Sequence, residues 1–203
     1  MARIQEVEIH LLRPTQLTVG FIEVKHKQAR LEKLKADEQR DFMQAHPIPA
    51  VLGPSEHLFI TDHHHLGRAA FEAGVTSGFV EIDADLSTLE KDAFWVEMDK
   101  RRWVHPLDQN GVRHYYSSIP HHLEALVDDV YRSLAGYVRD AGGYQKTPTA
   151  FAEFVWADFF RRNVAIEDVQ KDFDAAVKHA MLIAQSDIAQ RLPGYCGIPA
   201  PSK

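Results

Sequence analysis

The sequence predicts an α+β (mixed α/β) fold, with an N-terminal α/β domain over residues 1–105 and a helical extension over 106–203 packed on it, in a position to cover its site. Three observations lead there. Short apolar or alternating runs interleave with helical stretches in the first half. The turn-rich segment Pro106-Leu107-Asp108-Gln109-Asn110-Gly111 interrupts that pattern. Beyond Pro120 the apolar residues recur at spacings of three and four, which is helical periodicity.

Arg3 to Arg13 alternate apolar and polar residues and stop at Pro14, the mark of a half-exposed strand. A helix is expected from about Gln28 to Ala45, preceded by the basic cluster Lys25-His26-Lys27. Pro47 to Pro54 and residues 57–61 read as two strands joined by a Gly-Pro turn. A short helix follows and ends at Gly74, then Gly78 to Ala84 alternate into another strand. Ser87-Thr88-Leu89-Glu90 has the form of a capping box, with a helix running on to about Arg102. In the second half, Leu123, Leu126, Val127, Val130, Leu134 and Val138 form one amphipathic stripe closed by Gly142-Gly143. Two more helices are expected, from Thr149 to Asn163 and from Ile166 to Gln190.

Composition narrows the function classes. A net charge of −6 advertises no basic face, which argues against gripping duplex DNA through many phosphates. The single cysteine, Cys196, excludes an intramolecular disulfide and a cysteine zinc site. No apolar run reaches membrane-spanning length, so no membrane partner is expected and a cytoplasmic location is.

The chemistry concentrates at Asp62-His63-His64-His65, where the apolar run Leu58-Phe59-Ile60 meets the short helix. Unpaired N–H groups at a helix start carry partial positive charge and suit a phosphate. Asp62 is either an N-cap, a general base or a metal ligand. Contiguous histidines lie about 100° apart on a helix, so one or two of the three face a ligand together. That spacing disfavours a structural zinc, whereas Mg²⁺ or Mn²⁺ on Asp62, shared with substrate phosphate, remains open. Cations for the phosphate come from Lys25, Lys27, Arg68, Arg132 and Lys146. Arg132 also stands four residues after Asp128, the spacing of an ordinary helical ion pair. Glu153, Asp158 and Arg161 are charges in an otherwise apolar helix, suited to internal pairing or to substrate.

The strand-corner-helix pattern with Asp62-His63-His64-His65 resembles the signature region of the ParB/sulfiredoxin superfamily. Together with Val19 to Val24, Ile60 to Leu66, Tyr131 to Ala135 and Phe151 to Arg161, it resembles the putative ParB-like nuclease family. The resemblance implies a small ParB/sulfiredoxin-like domain that handles nucleotides, with a helical extension. ParB proteins carry a Gly-Glu-Arg-Arg type sequence at this corner. Related free-serine kinases carry Asp-Gly-His-His-Arg, which Asp62, His64 and His65 match, while His63 replaces the glycine and Leu66 the arginine. Sulfiredoxin's Gly-Cys-His-Arg is not met, and no helix-turn-helix pattern is present.

The expectation is a nuclease or phosphodiesterase acting on a phosphate-bearing small molecule or nucleic acid. Asp62, His64 and His65 would be catalytic, with His63 and the cations named above binding phosphate. The alternatives are a nucleotide-dependent kinase of a small hydroxylated metabolite and a non-catalytic ligand-binding or partner protein.

Overall fold

In the computed structural model, which describes residues 3–197, strand β1 (Arg3–Glu8) lies antiparallel to β5 (Ser77–Asp85). β5 runs parallel to β3 (Ile48–Leu52), and β3 pairs antiparallel with β4 (Leu58–Ile60), giving a mixed sheet of order β1-β5-β3-β4. Alternation along these strands sorts side chains onto two faces. Ile48, Ala50, Leu58, Ile60 and Val80 join a core with helices α1 (Phe21–Leu31), α2 (Ala36–Ala45) and α3 (His64–Glu72). Val51 and Phe59 point to the other face and pack with α4 (Lys91–Lys100) through Phe94, Trp95 and Met98. A short parallel pair, β2 (Thr18–Val19) with β6 (Val127–Asp128), completes this part.

The chain divides into two compact units between Asp128 and Asp129. The boundary falls later than residue 105 because the intervening segment is tied to the first unit. Leu123 and Leu126 are buried in its core, and β6 pairs with β2. The second unit holds α5 (Val130–Asp140), α6 (Ala152–Asn163), α7 (Ile166–Lys171) and α8 (Phe173–Ala184). Its own core is built on Leu134, Val138, Trp156 and Phe160. No helix among the described residues is long and apolar enough to cross a membrane.

Four expectations about elements are corrected. The helix expected at 28–45 is two helices, because Gly20 serves as the N-cap of α1 and the Glu38 carboxylate accepts from Lys35 N–H to open α2. Ser87 opens no helix: Asp85 Oδ1 accepts from both its N–H and its hydroxyl, and α4 starts at Lys91. The stripe from Leu123 to Val138 is not one helix. Residues 123–125 form a 3₁₀ turn, and α5 begins only after Asp129, whose carboxylate accepts from Tyr131 N–H. The expected helix at 166–190 is broken at Asp172, which caps α8 by accepting from Ala175 N–H.

Candidate functional site

The corner is made by the end of β4. Thr61 N–H donates to Pro49 carbonyl at 2.9 Å, closing the strand against its neighbour. His63 then takes a left-handed conformation (φ 59°, ψ 27°), a region in which histidine is enriched among non-glycine residues, and it is the N-cap of α3. Its carbonyl accepts from Gly67 N–H at 2.9 Å, the first bond of the helix. No side chain caps this end. Asp62 is exposed and accepts from the adjacent His63 N–H at 2.7 Å, so it turns the chain and does not cap the helix. His63 is exposed beside it.

The next two imidazoles face inward. His64 is 1% exposed, and its Nε2 accepts from Thr15 N–H at 3.0 Å while its Nδ1 meets the Gln16 side-chain amide. Nε2 thus acts as an acceptor, and both ring nitrogens are engaged inside the protein. His65 is also buried, and its Nε2 accepts from Gly20 N–H at 2.9 Å with the Glu23 carboxylate 3.6 Å away. These rings fasten the segment 15–20 and the start of α1 to α3. The expectation that they exchange protons with a substrate is therefore corrected for this geometry: both Nε2 lone pairs are committed to backbone donors.

The expected cations separate in the same way. Arg68 is buried; its Nη1 lies within hydrogen-bond distance of the Leu123, Glu124 and Leu126 carbonyls, and its Nε and Nη2 bond Glu72. It clamps residues 123–126 to α3 and offers nothing to a phosphate, a further correction. Lys27 pairs with Glu23 at 3.3 Å. Lys25 is exposed on α1 and is attracted to Asp128, whose carboxylate accepts from Phe21 N–H at 2.7 Å. Asp128 therefore serves the start of α1. Burial pushes its carboxyl above the ordinary range, opposed by the Phe21 hydrogen bond and Lys25.

In the second unit, Arg132 is buried with its guanidinium 3.5 Å from the centroid of the Phe154 ring, as a structural cation–π contact would be. Arg161 bonds Asp129 and Asp158, and Glu153 pairs with Arg139, so these charges are internally matched. Lys146 is exposed.

One group at the corner escaped sequence reasoning. Asp83, on β5, has its carboxyl raised by burial and by the neighbouring Glu81, with the nearby Thr61 hydroxyl acting in the opposite sense. Its only sequence signal was strand alternation. The β3–β5 register brings it toward Thr61 from a position 22 residues along the chain. No group of three or more His, Cys, Asp or Glu side chains able to hold a metal occurs among the described residues.

The family model described as "Putative ParB-like nuclease" matches residues 5–162. The crystal structure of protein Atu1540 from Agrobacterium tumefaciens is 41% identical, with 98% of this chain and 99% of that chain covered and a TM-score of 0.91. The C-terminally truncated chromosome-partitioning protein ParB from Caulobacter crescentus, complexed with CTP-gamma-S, is 14% identical over 92% of this chain and 94% of that one. Its TM-score of 0.31 is too low to bear on the site. No curated protein matches. With most of its length under that family model, the chain belongs to the putative ParB-like nuclease family.

Proposed function

We propose that the corner binds a phosphate-bearing substrate and hydrolyses a phosphodiester. The observation that carries the reading is the start of α3, where no side chain caps the helix and Asp62 and His63 stand exposed beside it. N–H groups of the first turn would receive a phosphate oxygen. Asp62 would take the proton of the attacking water as it bonds to phosphorus, and His63 would return a proton to the departing oxygen. His64 and His65 act as positioning residues that hold the segment 15–20 and α1 against the corner. Lys25, exposed on α1, would supply a cation for the remaining phosphate charge.

A divalent ion fits here only sparsely. One Asp62 oxygen accepts from His63 N–H, and the other would join water and substrate oxygens around Mg²⁺ or Mn²⁺, the shared kind of shell such ions accept. Bound there, the ion would neutralise developing phosphate charge.

The test is hydrolysis of single-stranded and duplex nucleic acid and of bis(p-nitrophenyl) phosphate, with and without Mg²⁺ or Mn²⁺. Asp62→Asn and His63→Ala should each slow turnover by roughly 10²–10⁴, the usual worth of general acid–base catalysis. Unchanged circular dichroism would exclude misfolding as the cause. Turnover equal to wild type in both variants, or none in the wild type, would overturn the proposal.

A further inference from the structure

A second feature lies at the opposite end of β4. Beyond His57, where the β3–β4 hairpin turns, a cavity of ≈ 230 Å³ opens on the sheet face that carries Phe59, away from the α3 corner. Its walls are aromatic. Phe59 and Phe94 meet with ring centroids 4.6 Å apart, Trp95 sets its edge against Phe59 at 5.5 Å, and Tyr116 stacks on Trp95 at 5.8 Å. The Tyr116 hydroxyl donates to Asp99 at 2.6 Å, which fixes that ring. Gly53 closes the back: a Cβ there would stand 2.6 Å from Phe59 and 2.8 Å from Phe94.

The charge of this cavity runs against that of the molecule. In a chain of net charge −6, no aspartate or glutamate lines it, whereas Arg13, Lys91, His57 and His121 do. Arg13 is held by backbone bonds on both sides, its N–H to Leu58 carbonyl and its carbonyl to Ile60 N–H, so its half-buried side chain stays on the Phe59 side. The guanidinium sits 5.8 Å from the Phe59 ring centroid. It forms no ion pair and no side-chain hydrogen bond among the described residues. Burial alone lowers its pKa, with no carboxylate acting on it. A guanidinium with no counter-charge in the protein is available to an anion that enters the cavity, and its fork matches a carboxylate in two parallel bonds. His57 donates Nδ1–H to Pro54 carbonyl at 3.0 Å, which leaves Nε2 as the ring nitrogen for a ligand.

We infer that this cavity is a binding site for a small planar aromatic carboxylate, its ring against the wall that Phe59, Trp95 and Tyr116 form and its carboxylate on Arg13. The volume lies below the roughly 300–1,000 Å³ of pockets for drug-sized ligands, which suits one ring with one acidic group. Lys91, exposed at the first turn of α4, adds charge at the mouth. This site is independent of the phosphodiester reading: it shares none of the corner's residues.

The experiment is calorimetric titration of the full chain with benzoate, benzamide and cyclohexanecarboxylate, paired with the indole N–H signals of its three tryptophans. Benzoate should bind at least roughly tenfold more tightly than either analogue, a difference of about 1.4 kcal/mol. The first comparison reads the charge and the second the ring. One indole signal, that of Trp95, should move. Arg13→Gln should weaken benzoate by about tenfold or more and leave benzamide unaltered, and Lys91→Gln, at an exposed position, should weaken benzoate about two- to fivefold. Asp62→Asn should change nothing, which separates this site from the corner. Absence of benzoate binding, equal binding of benzamide, or full affinity in Lys91→Gln and Arg13→Gln would each overturn the inference.

Discussion

Replacing Arg68 by methionine keeps most of the side-chain volume and removes the guanidinium that ties three carbonyls to α3. In the folded protein Nη1 lies 3.0, 2.8 and 2.9 Å from the Leu123, Glu124 and Leu126 oxygens. An NH₂ group has two hydrogens, so two strong bonds are the ceiling. Charge-assisted hydrogen bonds contribute about 1.5–3 kcal/mol each, and Leu123 and Leu126 keep partial compensation inside the turn. Glu72, on the outer side of α3, regains water when its partner is lost. The expected destabilisation is about 2–4 kcal/mol, which for a unit of this size lowers Tm by roughly 7–15 °C. Differential scanning calorimetry reads it, with Arg68→Lys as a control that should also lose stability, because an ammonium cannot span the same carbonyls and Glu72. A Tm within about 2 °C of wild type, with phosphodiester turnover abolished, would refute the clamp and return Arg68 to the substrate.

Gly53→Ala places a methyl group 2.6 Å from the Phe59 ring and should cost about 1–3 kcal/mol, measured by urea denaturation, while a Gly142→Ala control meets only backbone strain and no neighbour. Asp83 has a folded-state pKa raised above its unfolded value, so it binds its proton more tightly in the native protein; its unfavourable contribution is absent below the unfolded pKa and grows as pH rises through the folded one. Asp83→Asn should therefore match or exceed wild-type Tm at pH 7, with the gap closing by about pH 3.5 in thermal melts.

The strand β4, the short helix after it and their stop at Gly74 were legible in the sequence because each rests on local chemistry: a buried apolar run, a break in periodicity and a glycine at φ 69°. What the sequence left hidden depends on partners far along the chain. His64 and His65 look like surface ligands until Thr15 and Gly20, 49 and 45 residues away, supply the N–H groups that occupy them. The stripe from Leu123 to Val138 keeps helical spacing across two elements, since Leu123 and Leu126 serve one core and Leu134 and Val138 another. Periodicity records that residues are buried, not which core buries them. The Ser87 capping box failed because Asp85, two residues earlier, captured the serine first. Asp62 stays exposed, with one oxygen accepting from His63 N–H, a local bond that needs no distant partner.

Adjacent aspartates at 128 and 129 divide their labour across the unit boundary. Asp128 receives the first N–H of α1, and Asp129 receives an N–H in the first turn of α5. The peptide bond between them is therefore a place where extra residues can enter without removing either hydrogen bond. A glycine-serine insert there would lengthen the connection while each unit retains the carboxylate that starts its own helix. In a chain of 203 residues, that one bond is a natural place for a reporter or a flexible spacer.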